Sequence, residues 1–153
     1  SLNVSASGFE HIHRYTITTY TDEQTVKTLV KQLEKKIDVL NARYYTSDEV
    51  YVMDQALYKI ATAQLVANRD ISKAIRFYDG KIVEVNNTYA IVSKEGLPEE
   101  TMALYRKLKA CNCLLQYVSS GVVAVTKSHR EPLAEFLQLR QEEYRASQHP
   151  ADI

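Results

Sequence analysis

Polar and apolar residues alternate from the first position of the chain. Leu2, Val4 and Ala6 are separated by Asn3, Ser5 and Ser7, the period-two signature of a half-buried strand. Gly8 to His11 supplies a turn, and Ile12 to Tyr20 is dense in β-branched and aromatic residues, so the segment predicts an antiparallel hairpin. The period then changes to that of a helix. Val26, Leu29, Val30, Leu33, Ile37 and Leu40 form one stripe, and Lys27, Lys31, Glu34, Lys35 and Lys36 lie mostly off it. Thr21 and Gln24 have the spacing of a capping box, with Asp22 and Glu23 at the positive end of the helix dipole. Val39 to Tyr45 reads as a further short strand.

Thr46 to Asp54 breaks the pattern and reads as a linker. A complete unit follows. Ala56 to Ala61 is strand-like, and Asn68 or Asp70 caps a helix with apolar positions at Ile71, Ala74, Ile75 and Tyr78. Asp79-Gly80 ends that helix. Lys81 to Asn86 alternates, Asn86-Asn87 turns, and Tyr89 to Ser93 returns. Gly96 and Pro98 prepare a second helix with Met102, Leu104, Tyr105 and Leu108 on its apolar face. Leu114 to Val118 predicts a strand that continues as Val122 to Thr126, with Ser119-Ser120-Gly121 as a bend or bulge between them. After Pro132 an amphipathic tail carries Leu133, Phe136, Leu137, Leu139 and Tyr144, expected to dock on its own module or on a partner and to fray at its end.

Strand, helix, strand, strand, helix, strand is the order of a ferredoxin-like α+β layer, four antiparallel strands with two helices on one face. Residues 56–128 carry the whole unit, and residues 1–45 carry only strand, strand, helix, strand. The chain therefore divides into a partial module (1–45), a linker (46–55), a complete module (56–128) and a tail (129–153). The partial module implies roughly 30 further residues at the N-terminus, the length of a strand with its helical crossover. In both modules one sheet face stays open, and such faces or edges are often covered by another copy.

Composition narrows the function. Apolar residues at 45% suffice for a packed core, and 19 basic against 19 acidic residues leave no overall attraction to nucleic acid or anionic lipid. No apolar run is long enough for a membrane span. Two cysteines, Cys111 and Cys113, are too few for a disulfide framework and point to a reducing cytoplasm. His11 and His13, two apart on a strand, would face one side, but no third metal ligand is evident; His129 and His149 lie in polar segments. Tyr15 and Tyr89 could stack on bases, but without a basic stripe core and interface contacts explain the tyrosines better. No catalytic constellation stands out. Ser119-Ser120-Gly121 has no evident base, and neither a phosphate-binding loop nor a nucleophile elbow is present. A chain of small α/β modules without catalytic groups reads as a sensor or a regulatory subunit, acting by differential affinity for two states of a partner.

These segments resemble the small, regulatory subunit of acetolactate synthase (acetohydroxyacid synthase). SLNVSAS is similar to that family's "ESL-V" strand, and DEQTVKTLVKQLEKKIDVL to its second ACT-domain helix. ALYKI is similar to the strand that opens its C-terminal domain, GKIVEVNNTYAIV to the central hairpin, and SGVVAVTKS to the closing strand. The resemblance runs over roughly residues 1–128, in order and in register. It implies an N-terminal ACT domain, incomplete here, followed by a ferredoxin-like domain. It further implies homodimerisation through ACT sheets and a branched-chain amino acid held at the paired interface. The implied partner is a large catalytic subunit that carries thiamine diphosphate, magnesium and FAD; no cofactor is expected in this chain. Such a subunit activates the partner and mediates feedback control of valine, leucine and isoleucine synthesis. The family's main effector loop precedes Ser1, so the resemblance reaches only Val4 and Ser5 as effector contacts. Lys94 and Glu95 replace apolar residues at the end of the return strand and predict a shorter strand there. Lys127-Ser128 replaces a more usual Arg-containing ending, and the tail from Arg130 is longer than the family's.

Two rival readings follow from the same residues. The His11/His13 pair motivates a free-standing ligand or metal sensor, a transcription regulator among the possibilities. An acylphosphatase-like hydrolase would need an anion-binding loop with an arginine after the first strand, where residues 61–70 offer only Arg69.

Overall fold

The computed structural model describes residues 2–148. Contacts divide the chain into two compact units, one combining the N-terminal hairpin through Thr19 with Val52–Ala124, the other combining Tyr20–Tyr51 with the segment from Val125 onward. This grouping cuts across the expected divisions at residues 45 and 128.

The first unit opens with β1 (Leu2–Ala6) and β2 (His13–Ile17), an antiparallel hairpin in which Leu2 faces Ile17, Val4 faces Tyr15 and Ser5 faces Arg14. Gly8 and His11 take positive φ in the turn, at 87° and 62°. The complete module follows: β3 (Val50–Ala61), a short α2 (Thr62–Ala67) and α3 (Arg69–Phe77), then β4 (Lys81–Val85), β5 (Tyr89–Gly96), α4 (Pro98–Ala110), β6 (Leu114–Ser119) and β7 (Val123–Thr126). The sheet runs β4-β5-β3-β6, and β7 also pairs with β3 beyond the Ser120–Val122 break. The pairs β3·β5, β3·β6 and β4·β5 are antiparallel, so this is the expected α+β, ferredoxin-like order with the first strand of the motif in the centre.

The core follows from the period of two. Asp54, Ala56, Tyr58 and Ile60 of β3 and Ala90, Val92 and Lys94 of β5 point to one face and are buried. Ile71, Ala74 and Ile75 of α3 and Leu104 and Leu108 of α4 close over that face. Asn68 caps α3 by accepting the Asp70 amide at 3.0 Å. Replacing Asn68 with alanine leaves that amide without its partner and is expected to cost about 1 kcal/mol, read as a lower urea midpoint at constant m-value. At α4, Pro98 occupies the first turn and the Glu100 carboxylate accepts the Leu97 amide at 3.3 Å.

Several expectations are corrected. β3 begins at Val50, so half of the segment read as linker is strand; its first residues gain ladder partners only in the folded sheet. β5 extends to Gly96 rather than stopping near Lys94, because Lys94 pairs with Ala56 in the ladder and is buried in the folded module. β4 alternates in sequence yet all five of its residues are exposed, since it is the sheet edge and its register shifts between Ile82 and Glu84. Part of the expected 61–70 loop is helix α2, which buries no residue and therefore leaves no periodic trace.

In the second unit, α1 (Glu23–Glu34) is capped by Asp22, whose carboxylate accepts the Thr25 amide at 2.6 Å, in place of the expected Thr21–Gln24 box. That hydrogen bond holds the Asp22 carboxyl below its ordinary pKa. The helix ends before Ile37 and Leu40, both exposed, so the apolar stripe is shorter than its sequence period. Residues 41–45, expected as part of a strand, have no regular structure. A strand must exchange backbone hydrogen bonds with a neighbour, and among the described residues none pairs with this segment. The tail forms α5 (Pro132–Gln148), with no buried residue.

Candidate functional site

The polar groups singled out from sequence do not converge. His11 occupies the left-handed turn and lies 3.4 Å from the Glu10 carboxylate, while His13 opens β2 opposite Ala6. The expectation that both rings project from one strand is corrected, because only His13 belongs to β2. Among the described residues no three His, Cys, Asp or Glu side chains gather as a metal site. His129 is exposed, and His149 lies outside the described residues. Cys111 caps α4 and Cys113 is buried before β6; burial first, and then the neighbouring Cys111, pushes the Cys113 thiol up from its ordinary pKa. Such a thiol is a poor nucleophile at neutral pH.

Val4 and Ser5 stand on opposite faces of the hairpin. Val4 is 53% exposed on the face it shares with Leu2, Tyr15 and Ile17, and Ser5 is half-buried on the face it shares with Asn3, Arg14 and Thr16. The hairpin is thus polar toward the interior and apolar toward solvent. Tyr89 is half-buried, with the Lys59 ammonium 5.7 Å from its ring centroid.

Two shallow clefts lie among the described residues. One, of ≈ 500 Å³, lies beside the Tyr105–Tyr117 pair, whose ring centroids are 4.6 Å apart, with Lys109 over the Tyr105 ring. It offers stacking surface and one cation. The other, of ≈ 470 Å³ and within the second unit, is lined by Arg43, Lys127 and Arg130 together with Glu49 and Glu135. Its charges are partly spent internally: Arg130 lies 3.6 Å from Glu135, and Glu49 accepts the Thr46 hydroxyl at 2.7 Å. The 61–70 segment, required by a hydrolase reading to be an anion-binding loop, is largely helix.

What remains is surface. On the sheet face away from the helices, Leu57 and Val118 face each other across β3·β6, both about half exposed, in one row with Ser93 and Lys81. Together with the outer face of the hairpin, this is apolar area suited to contact with other polypeptide. Among the described residues, no helix is long and apolar enough to cross a membrane.

Sequence reasoning missed one polar cluster. Asp54 was assigned to the linker, and Ser119-Ser120 to a bend lacking a base. In the structure the Asp54 carboxylate is buried and accepts the Ser119 hydroxyl at 2.6 Å. An acidic residue two positions before an alternating apolar strand was the available signal.

The chain is similar to known proteins over most of its length. A family model described as the small subunit of acetolactate synthase matches residues 54–128. An acetolactate synthase small subunit of Mycolicibacterium smegmatis is 28% identical over 130 residues, covering 85% of this chain and 75% of that protein. One from Haemophilus influenzae is 26% identical over 134 residues, covering 87% and 81%. The isozyme 3 small subunit of Salmonella typhimurium is 25% identical over 130 residues, covering 85% and 79%. Among solved structures, the crystal structure of the Thermotoga maritima acetolactate synthase small subunit superposes with a TM-score of 0.73 at 20% identity, over 85% of this chain and 80% of that one, a likeness of fold.

Proposed function

We propose that this chain is a small subunit of acetolactate synthase, the regulatory partner of a thiamine-diphosphate-dependent catalytic subunit, and that it raises that subunit's rate of acetolactate formation. The observation that carries this reading is the family match across the complete module, collinear with relatives named as small subunits over 85% of the chain. The site inventory agrees with it. Apolar faces are left for other polypeptide, and the thiol of Cys113 and the carboxylate of Asp54 are buried rather than presented to a substrate.

The thiamine diphosphate, magnesium and FAD of the reaction belong to the catalytic subunit, in a cytoplasmic holoenzyme. The effector is a branched-chain amino acid, met from this chain by Val4 on the outer face of the hairpin or by Ser5 on its inner face, and the small subunits pair through their N-terminal sheets. Regulation of this kind acts by binding one state of the partner more tightly, with a coupling typically of about 1–3 kcal/mol. Adding the chain to the large subunit is expected to raise acetolactate formation severalfold and to produce co-elution on gel filtration. An unchanged rate with separate elution would overturn the reading. Valine titration of the reconstituted enzyme then tests the feedback step by itself.

A further inference from the structure

Asp54 lies in the centre of the first unit at 4% exposure, between α4 on one side and the Ser119–Gly121 bend on the other. Thr101 of α4 donates its hydroxyl to Oδ2 at 2.7 Å, and Ser119 donates to Oδ1 at 2.6 Å. The Ser120 hydroxyl, with a single proton, lies 3.3 Å from Oδ1 and 2.7 Å from the Gly121 carbonyl. The backbone is tied in as well. The Ser120 amide donates to the Gln55 carbonyl at 2.8 Å, the Gln55 amide to Ser120 Oγ at 3.2 Å, and the Gly121 amide to Ser119 Oγ at 3.2 Å. A buried carboxylate needs such donors, because its charge has no water to rely on.

The bend held in this way is the surface on which the N-terminal hairpin rests. Asn3 Nδ2 donates to the Ser120 carbonyl. Gly121 has φ 78°, a left-handed conformation that glycine adopts without strain, and its missing side chain leaves room for the hairpin. A Cβ at Gly121 would stand 3.4 Å from Asn3 Cβ and 3.5 Å from the Leu2 carbonyl oxygen. The other end of the same amide, Asn3 Oδ1, is buried without a hydrogen-bond partner among the described residues. The contact of Asn3 and Leu2 with the bend depends on the shape of the bend, and that shape depends on Asp54.

We propose that Asp54 is a carboxylate latch that ties the Ser119–Gly121 bend to α4 and thereby couples the N-terminal hairpin to the C-terminal sheet. The latch is a positioning device. It sets whether a displacement of β1 reaches β3 and α4. A signal arriving at the hairpin would pass into the complete module through this cluster.

Hydrogen exchange of the full chain, followed by mass spectrometry, tests the latch without any catalytic subunit. In Asp54→Ala, amides of Leu2–Ile17 and Ser119–Gly121 are expected to exchange about tenfold faster, while those of Tyr58–Ile60 and Leu104–Leu108 keep their protection. Faster exchange confined to the bend, with the hairpin unchanged, would overturn the coupling. If circular dichroism shows that Asp54→Ala does not fold, Asp54→Asn is read by the same criterion. Asn3→Ala should loosen the hairpin alone, and Asn3→Ala combined with Asp54→Asn should loosen it no further than Asn3→Ala does. Additive loosening would mean that the hairpin does not sense the latch.

Discussion

Replacing Tyr58 with alanine is expected to destabilise the complete module by about 3–5 kcal/mol, the range for deleting a fully buried aromatic side chain. Tyr58 has no exposed surface and sits at the middle of β3 among Ile71, Leu104 and the other core side chains. Its ring lies 5.2 Å from that of Tyr117, tilted by 40°, and its hydroxyl donates to the Thr101 carbonyl. Against a typical total of about 5–15 kcal/mol, that loss would bring the domain close to its unfolding midpoint in plain buffer. Tyr58→Phe separates packing from the hydrogen bond, and should cost only about 1 kcal/mol because the helix still satisfies the Thr101 carbonyl. Burial, followed by the neighbouring Tyr117 and Asp54, pushes the Tyr58 hydroxyl above its ordinary value of 10.0. A raised folded-state pKa means that the stabilisation is complete below about pH 10 and is lost as pH rises toward the folded value. Chemical denaturation at rising pH should therefore show a steeper alkaline loss in the parent chain than in Tyr58→Phe. Equal slopes would show that Tyr58 does not carry the effect.

The second large effect is expected at Gly80. This residue leads from α3 into β4, and its amide donates to the Ile75 carbonyl at 2.7 Å. A Cβ there would stand 3.0 Å from Val92 Cγ1 and 3.3 Å from both Ile75 Cγ2 and the Ile75 carbonyl oxygen. The methyl-bearing atoms belong to buried core residues and the third contact is backbone, so none can yield without disturbing its own packing. Gly80→Ala is expected to cost about 1–3 kcal/mol by overpacking. The check is a fall in the denaturant midpoint with an unchanged m-value; an unaltered midpoint would mean that the α3–β4 connection has slack that the distances do not suggest.

The complete module was legible because each of its elements carries a local signal. Ile71, Ala74 and Ile75 repeat at helical spacing behind an Asn68 cap, and Ala56, Tyr58 and Ile60 repeat at strand spacing. Pro98 and Gly96 mark the turn into α4, and the observed core contains all of these apolar positions. The latch was not legible, since Asp54, Thr101 and Ser119 are 47 and 65 positions apart in the pairs that bond. The expected strand at residues 39–45 shows the limit from the other side: its composition suits a strand, but among the described residues no strand pairs with it. The resemblance reaches Val4 and Ser5 as effector contacts, and the pleat sends them to opposite faces.

Period, capping residues and glycine or proline placement therefore dictated most of the helices and strands of the complete module and the apolar positions of its core, because those preferences act within a few residues. Tertiary structure alone decided how far β3 and β5 extend, that Lys94 is buried and that β4 is left at the edge. It also turned the apolar side of the hairpin outward and closed the carboxylate cluster. These outcomes depend on which strand lies beside which and on whether a polar group meets a donor from a distant part of the chain, information that no short window of residues contains.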